Sequence, residues 1–139
     1  MGVSSEQTNP GKDVSVNVSF NNLTNVSGIK TKLTYDASKL TLKKVELNSK
    51  LSANAVNTNI PGEIYFNGIN ADGISAPSFD AATLTFTVNK DIEASSLPLA
   101  LPVNVALAEA CDSDLQNGTL SASNGTITVN PTVLPVASN

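Results

Sequence analysis

The residues that most restrict how this chain can fold are Gly28–Leu47, GIKTKLTYDASKLTLKKVEL. Ile29, Thr31, Leu33 and Tyr35 fall on one side of an extended backbone, and Lys30, Lys32 and Thr34 on the other. Successive strand side chains point to opposite faces, so this period of two marks a half-buried strand. Asp36-Ala37-Ser38 interrupts the run with turn-forming residues. Leu40-Thr41-Leu42 resumes it, and at Lys43-Lys44 the phase slips by one residue before Val45 and Leu47 restore it. A slip of one position predicts a β-bulge.

The same period recurs along the chain. Val14, Val16, Val18 and Phe20 alternate with Ser15, Asn17 and Ser19, after an Asn9-Pro10-Gly11 turn. Residues 21–27 (NNLTNVS) read as a loop, as does the polar segment 48–54. Val56, Thr58 and Ile60 alternate with Asn57 and Asn59, which predicts a short strand closed by Pro61-Gly62. In Glu63–Asn70, Ile64 and Phe66 take one face, and Tyr65, Asn67 and Ile69 the other. Gly68 inside that strand predicts a bulge or a close backbone approach. Asp72-Gly73 opens a predicted loop through Pro77. Ala82, Leu84, Phe86 and Val88 alternate with threonines, and Val103, Val105 and Leu107 with Asn104, Ala106 and Ala108. Asn124-Gly125 turns the chain into a last strand with Ile127 and Val129 inward. Residues 91–97 read as a loop or a single helical turn. About eight or nine short strands with turn signals between them, and no long helical period, predict an all-β, two-sheet antiparallel sandwich. Residues 1–130 form one expected domain, and the Pro-containing tail 131–139 reads as a linker.

Composition removes several functions. The net charge is −4 and every one of the 8 basic residues is Lys, whereas nucleic-acid binding needs a basic footprint, commonly with Arg. No apolar run approaches the roughly 20 residues of a membrane-spanning helix, and no leader-like segment opens the sequence. Catalysis lacks its usual parts. There is no His, which removes the commonest general base and metal ligand, and no Ser lies in a GxSxG elbow. Asp36, Glu46, Glu63, Asp72, Asp80 and Glu109 lie beside turns or on expected solvent faces, which reads as solubilising charge and not as a glycosidase pair. Asp112-Ser113-Asp114 with Gly118 only approximates a calcium loop, because Gln116 holds a ligand position and Ser123 stands where the closing Glu belongs. Cys111 is the only cysteine, so an internal disulfide is excluded, and it reads as a small packing residue at a strand end.

The order and spacing of the strands also carry a family resemblance. NPGK ahead of VSVNVSF, GIKTKLTYDASKLTL, GEIYFNGIN, ADG followed by ATLTFTV, and the closing DLQNGTLSASNGTITV together resemble the cohesin family across nearly the whole chain. The resemblance implies a nine-stranded jelly-roll sandwich. It also implies a non-catalytic docking function, in which one sheet face binds a dockerin within an extracellular assembly of carbohydrate-active enzymes. No cofactor is implied in this chain, since the calcium belongs to the dockerin partner. A secreted or bacterial cell-surface location follows, which suits the sparse Cys and the Asn- and Thr-rich composition.

In that family the docking strands correspond here to residues 28–35, 56–60, 63–70 and 103–108. The alternation assigns the outward side chains: Lys30, Lys32 and Thr34; Asn57 and Asn59; Tyr65, Asn67 and Ile69; and Asn104, Ala106 and Ala108. Type I members carry Asn and Asp near the start of the first of these strands and an acidic residue in the last loop. Gly28 and Lys30 fall at the former positions and Asn117 at the latter. The resemblance therefore implies a dockerin divergent from the type I consensus, offering acidic residues to Lys30 and Lys32. Two other readings stay open from the residues alone: a carbohydrate-binding sandwich, for which Tyr65 is the one outward aromatic, and a structural spacer of a surface protein.

Overall fold

The computed structural model describes residues 1–89, 99–112, 117–119 and 122–130. The expectations for 91–97 and for the tail 131–139 lie outside these residues, as do Ser113, Asp114 and Gln116 of the calcium-loop approximation. The described elements are all strands: β1 (Gly2–Val3), β2 (Glu6–Thr8), β3 (Asp13–Thr34), β4 (Leu40–Leu47), β5 (Ala53–Asn57), β6 (Glu63–Val88), β7 (Leu99–Asp112), β8 (Asn117–Thr119) and β9 (Gly125–Val129).

Two of these strands are far longer than their sequence suggests. β3 runs for 22 residues and β6 for 26, and they pair antiparallel almost throughout. Residues 13–20 of β3 lie against 79–87 of β6 in one layer, and residues 28–34 lie against 63–69 in the other. The stretches 21–27 and 72–77, expected to be loops, are where both strands bend together from one layer to the next. Their register shifts at Leu23/Val26 and Val26/Gly28. Asn22, Asn25 and Gly73 take positive φ there, at 56°, 53° and 80°, a conformation that Asn and Gly tolerate best. Turn-type residues therefore bend a strand here without ending it. The slip at Lys43-Lys44 appears as a register shift between Leu42 and Lys44.

β4 continues the first layer by pairing with the end of β6. β5 and β7 flank the second layer, β5 beside β6 and β7 beside β3. β7 also belongs to both layers, because residues 99–103 pair with β9 and the remainder with β3. Two pairings among the described residues depart from the all-antiparallel expectation: β2 runs parallel to β9, and Gly2 forms an isolated parallel bridge with Ser123.

The apolar faces meet in a core whose fully buried members include Phe20, Phe66, Phe86, Leu33, Leu40, Ile64, Leu84 and Ile127. Tyr35, expected inward, is half-buried with its ring set edge-on to Phe86 at 5.0 Å. Gly68 marks a close approach and not a bulge. A Cβ there would lie 2.9 Å from the side chain of Leu51, which is 2% exposed.

Candidate docking face

Register decides which side chains share the outer surface of the second layer, since directly opposed residues in a ladder point the same way. One row holds Asn57, Tyr65, Lys32 and Leu107, in the order β5, β6, β3, β7. The next holds Ala55, Asn67, Lys30 and Glu109, and a third holds Ile69, Gly28 and Cys111. Glu63, Thr34 and Asn104 form the row at the other end. Lys30, Asn57, Asn67, Ile69, Asn104 and Ala106 are exposed, and Lys32, Thr34 and Tyr65 half-buried.

Three assignments made from the alternation change. Ala108 is 5% exposed and points inward, opposite the buried Thr31. The register jumps between the Lys32–Leu107 and Leu33–Val105 pairs, so Ala106 is an extra, bulged residue and the phase beyond it inverts. Leu107 and Glu109 replace Ala108 on the face. The physical cause is the passage of β7 from one layer to the other just before this point, since strands that switch sheets do so through bulges or bends. The sequence hides it because Ala106-Leu107-Ala108 has no polar residue to mark the phase. Asn59 lies beyond the end of β5, in the bend toward Pro61, and donates its backbone N–H to Asn57 Oδ1 at 3.0 Å. The strand itself sits three residues earlier than expected, at Ala53–Asn57, leaving Val56 and Ile60 exposed at its edge and beyond it. Asn117, in β8, pairs in register with Cys111 at the rim of the same layer.

The charges on this face are unequal in availability. Lys32 Nζ lies 2.7 Å from Glu63 Oε1 and 4.9 Å above the centre of the Tyr65 ring. The Glu63 carboxylate, and then Tyr65, push its pKa up to about 12. Lys32 is thus already paired within the fold. The ammonium also covers a face of the aromatic ring on which the carbohydrate reading depended. Lys30, by contrast, forms no ion pair among the described residues.

The surface is not flat. With no side chain at Gly28, a recess of about 300 Å³ opens, lined by Lys30, Asn67, Ile69, Glu109 and Cys111 among others. Ile69 is 52% exposed beside it. A smaller depression of about 130 Å³ lies among Ala55, Asn57, Tyr65 and Asn67, and Lys30 borders both.

A family model described as the cohesin domain matches residues 1–134. The chain belongs to the cohesin family. Among solved structures, a cohesin from Clostridium acetobutylicum in solution is 30% identical, with a TM-score of 0.76 over 95% of this chain and 92% of that one. A cohesin of the same designation, solved in complex with a dockerin, is 28% identical, with a TM-score of 0.78 over 93% and 97% of the two chains. A non-cellulosomal cohesin from the archaeon Archaeoglobus fulgidus shares the fold at 20% identity, with a TM-score of 0.79 over 93% and 88%. A comparison with curated protein sequences finds no match. These likenesses establish the jelly-roll sandwich. In this cohesin the outer surface of the first layer differs in kind from the face just described. There Ser15 and Thr85 hydroxyls lie 3.0 Å apart, Thr83 donates to Asn17 at 3.0 Å, Ser19 to Asp80 at 2.9 Å and Thr87 to Asp13 at 2.7 Å. Lys43 closes the row on Asp13.

Proposed function

We infer that this cohesin captures a dockerin on the outer face of β5, residues 63–70 of β6, residues 28–34 of β3, and the part of β7 that follows Val103. The observation that carries the reading is the register itself. It gathers Lys30, Asn67, Ile69, Leu107 and Asn104 on one surface and leaves Lys30, Asn67 and Asn104 without side-chain hydrogen-bond partners among the described residues. Exposed polar groups that no neighbouring side chain holds, set around apolar side chains, are free to bond a partner, and four short strands offer about the 800 Å² per partner of a standard interface. The relatives solved with dockerins support the same reading.

Recognition is by contact. The module acts without catalysis and without a cofactor of its own, the calcium being the dockerin's. Its setting is secreted or at a bacterial surface, where it holds carbohydrate-active enzymes in an assembly. Because Lys32 is paired with Glu63, acidic groups of the dockerin are expected at Lys30 and not at Lys32. The test is a titration calorimetry panel in which the chain meets dockerins from its own genome and the dockerin of the Clostridium acetobutylicum complex. Saturable one-to-one binding to at least one of them is expected. No binding across the panel defeats the reading.

A further inference from the structure

The recess over Gly28 is left open by the described side chains, and its walls describe what fits it. One wall is Ile69, apolar and half-exposed on β6. The opposite wall is Cys111 on β7, whose Sγ would lie 2.8 Å from a Cβ at residue 28. Lys30 and Asn67 border one end, and Glu109 stands across from Lys30 in register. Neither Lys30 nor Glu109 has an ion-pair partner among the described residues. An occupant must therefore be apolar where it meets Ile69 and the thiol, and a carboxylate beside it is attracted on the Lys30 side and repelled on the Glu109 side.

We propose that the recess is the specificity pocket of the docking face. It receives one large apolar side chain (Leu, Ile or Met) from the partner, next to a partner carboxylate that reaches Lys30. The missing side chain at Gly28 makes the room. The proposal rests on the docking reading for the identity of the partner, but not for the chemistry of the pocket. Gly28 has no positive φ that would demand glycine. A side chain there is excluded by the neighbour across the ladder and by whatever fills the space above. Apolar contacts that lose their water on binding can carry much of an interface's energy.

Two measurements separate the pocket from the docking reading. The first needs no partner. Cys111 serves as a native tether, and the purified domain is equilibrated in a thiol–disulfide buffer with small disulfides carrying isobutyl, isopentyl, hydroxyethyl or carboxyethyl groups. An apolar pocket should enrich the isobutyl and isopentyl adducts at least about fivefold over the hydroxyethyl adduct, the order expected from burying one or two methylene groups. Equal labelling overturns the proposal whatever dockerins do. The second measurement titrates a dockerin that binds the unaltered domain against Ile69→Ser, Lys30→Glu and Gly28→Leu, the last made in a Cys111→Ala parent to remove the clash. Ile69→Ser should weaken binding by about 30-fold, Lys30→Glu by about 10-fold with a shallower salt dependence, and Gly28→Leu by 30-fold or more relative to its parent. Unchanged affinity in the Ile69 and Gly28 variants overturns the pocket while leaving docking intact. If no dockerin binds the unaltered domain, the docking reading fails and the tethering result alone decides the pocket.

Discussion

The two outer surfaces of this sandwich are built by the same two strands and end up opposite in character. On the first layer, residues 13–20 and 79–88 place Asp13, Ser15, Asn17 and Ser19 against Thr87, Thr85, Thr83 and Asp80, and these side chains bond to one another across the strands. On the second layer, residues 28–34 and 63–70 of the same strands present Lys30, Asn67 and Ile69 around a recess, with those polar groups open to solvent. Both surfaces are polar and both alternate with a buried face, apart from one extra buried residue at Ala81 on the first layer. The difference is saturation. A row of short hydroxyl and amide side chains completes its own hydrogen bonds and has little to offer a partner. A row that mixes a long cation, an amide, an apolar side chain and a glycine cannot do so, and remains available.

That contrast can be broken most violently at the bulge. Ala108→Asp would bury a charge beside Thr31 and is expected to cost roughly 4 kcal/mol or more of stability, read as a collapse of the denaturation midpoint. Leu107→Asp, one residue away on the face, should leave the stability within about 1 kcal/mol of the unaltered domain and instead weaken docking. Equal behaviour of the two variants would refute the inverted phase. Next in size, replacing Tyr65 and Asn67 together by Ala should reduce dockerin affinity by about 100-fold or more with little change in thermal midpoint; full retention of binding would remove the face from consideration. The mirror experiment on the first layer, Asn17→Ala with Thr83→Ala, should lower stability by about 1 kcal/mol and leave dockerin affinity untouched. A loss of binding there would mean that the wrong surface has been assigned.

The smallest effect lies in the turn that joins the two layers' strands. The Ser38 hydroxyl, with help from Lys39 and the Ser38 backbone N–H, holds the Asp36 carboxyl down to about 2 from an ordinary 3.8. A depressed carboxyl pKa means that its contribution to stability is complete above the unfolded value. It is lost as pH falls from near 4 toward 2. Asp36→Asn should flatten the acid limb of the stability profile in that window, followed by circular dichroism, without altering docking. A steeper acid limb in the variant would contradict the assignment.

Much of this was legible before any coordinates. The period of two placed Val14, Val16, Val18 and Phe20, or Leu84, Phe86 and Val88, in the core, because within a regular strand the side a residue takes depends only on its parity. The same rule put Lys30, Lys32, Tyr65, Asn67 and Ile69 on a common face. It stopped being reliable where strands change layers. Residues 21–27 and 72–77 look like loops because they contain the Asn, Gly and Pro of turns, yet the ladder carries on through them in a bend. Ala106 looks like an ordinary outward residue, yet it is the extra one.

What the sequence determined alone is the local decision, strand or turn and which side faces inward, since alternation and turn chemistry are properties of neighbours along the chain. What only the tertiary structure decided is the phase of β7, the pairing of Lys32 with Glu63, and the recess where Gly28 meets Cys111. Each depends on which strand lies alongside and in what register, a relation between residues as far apart as 28 and 111 that no local pattern encodes.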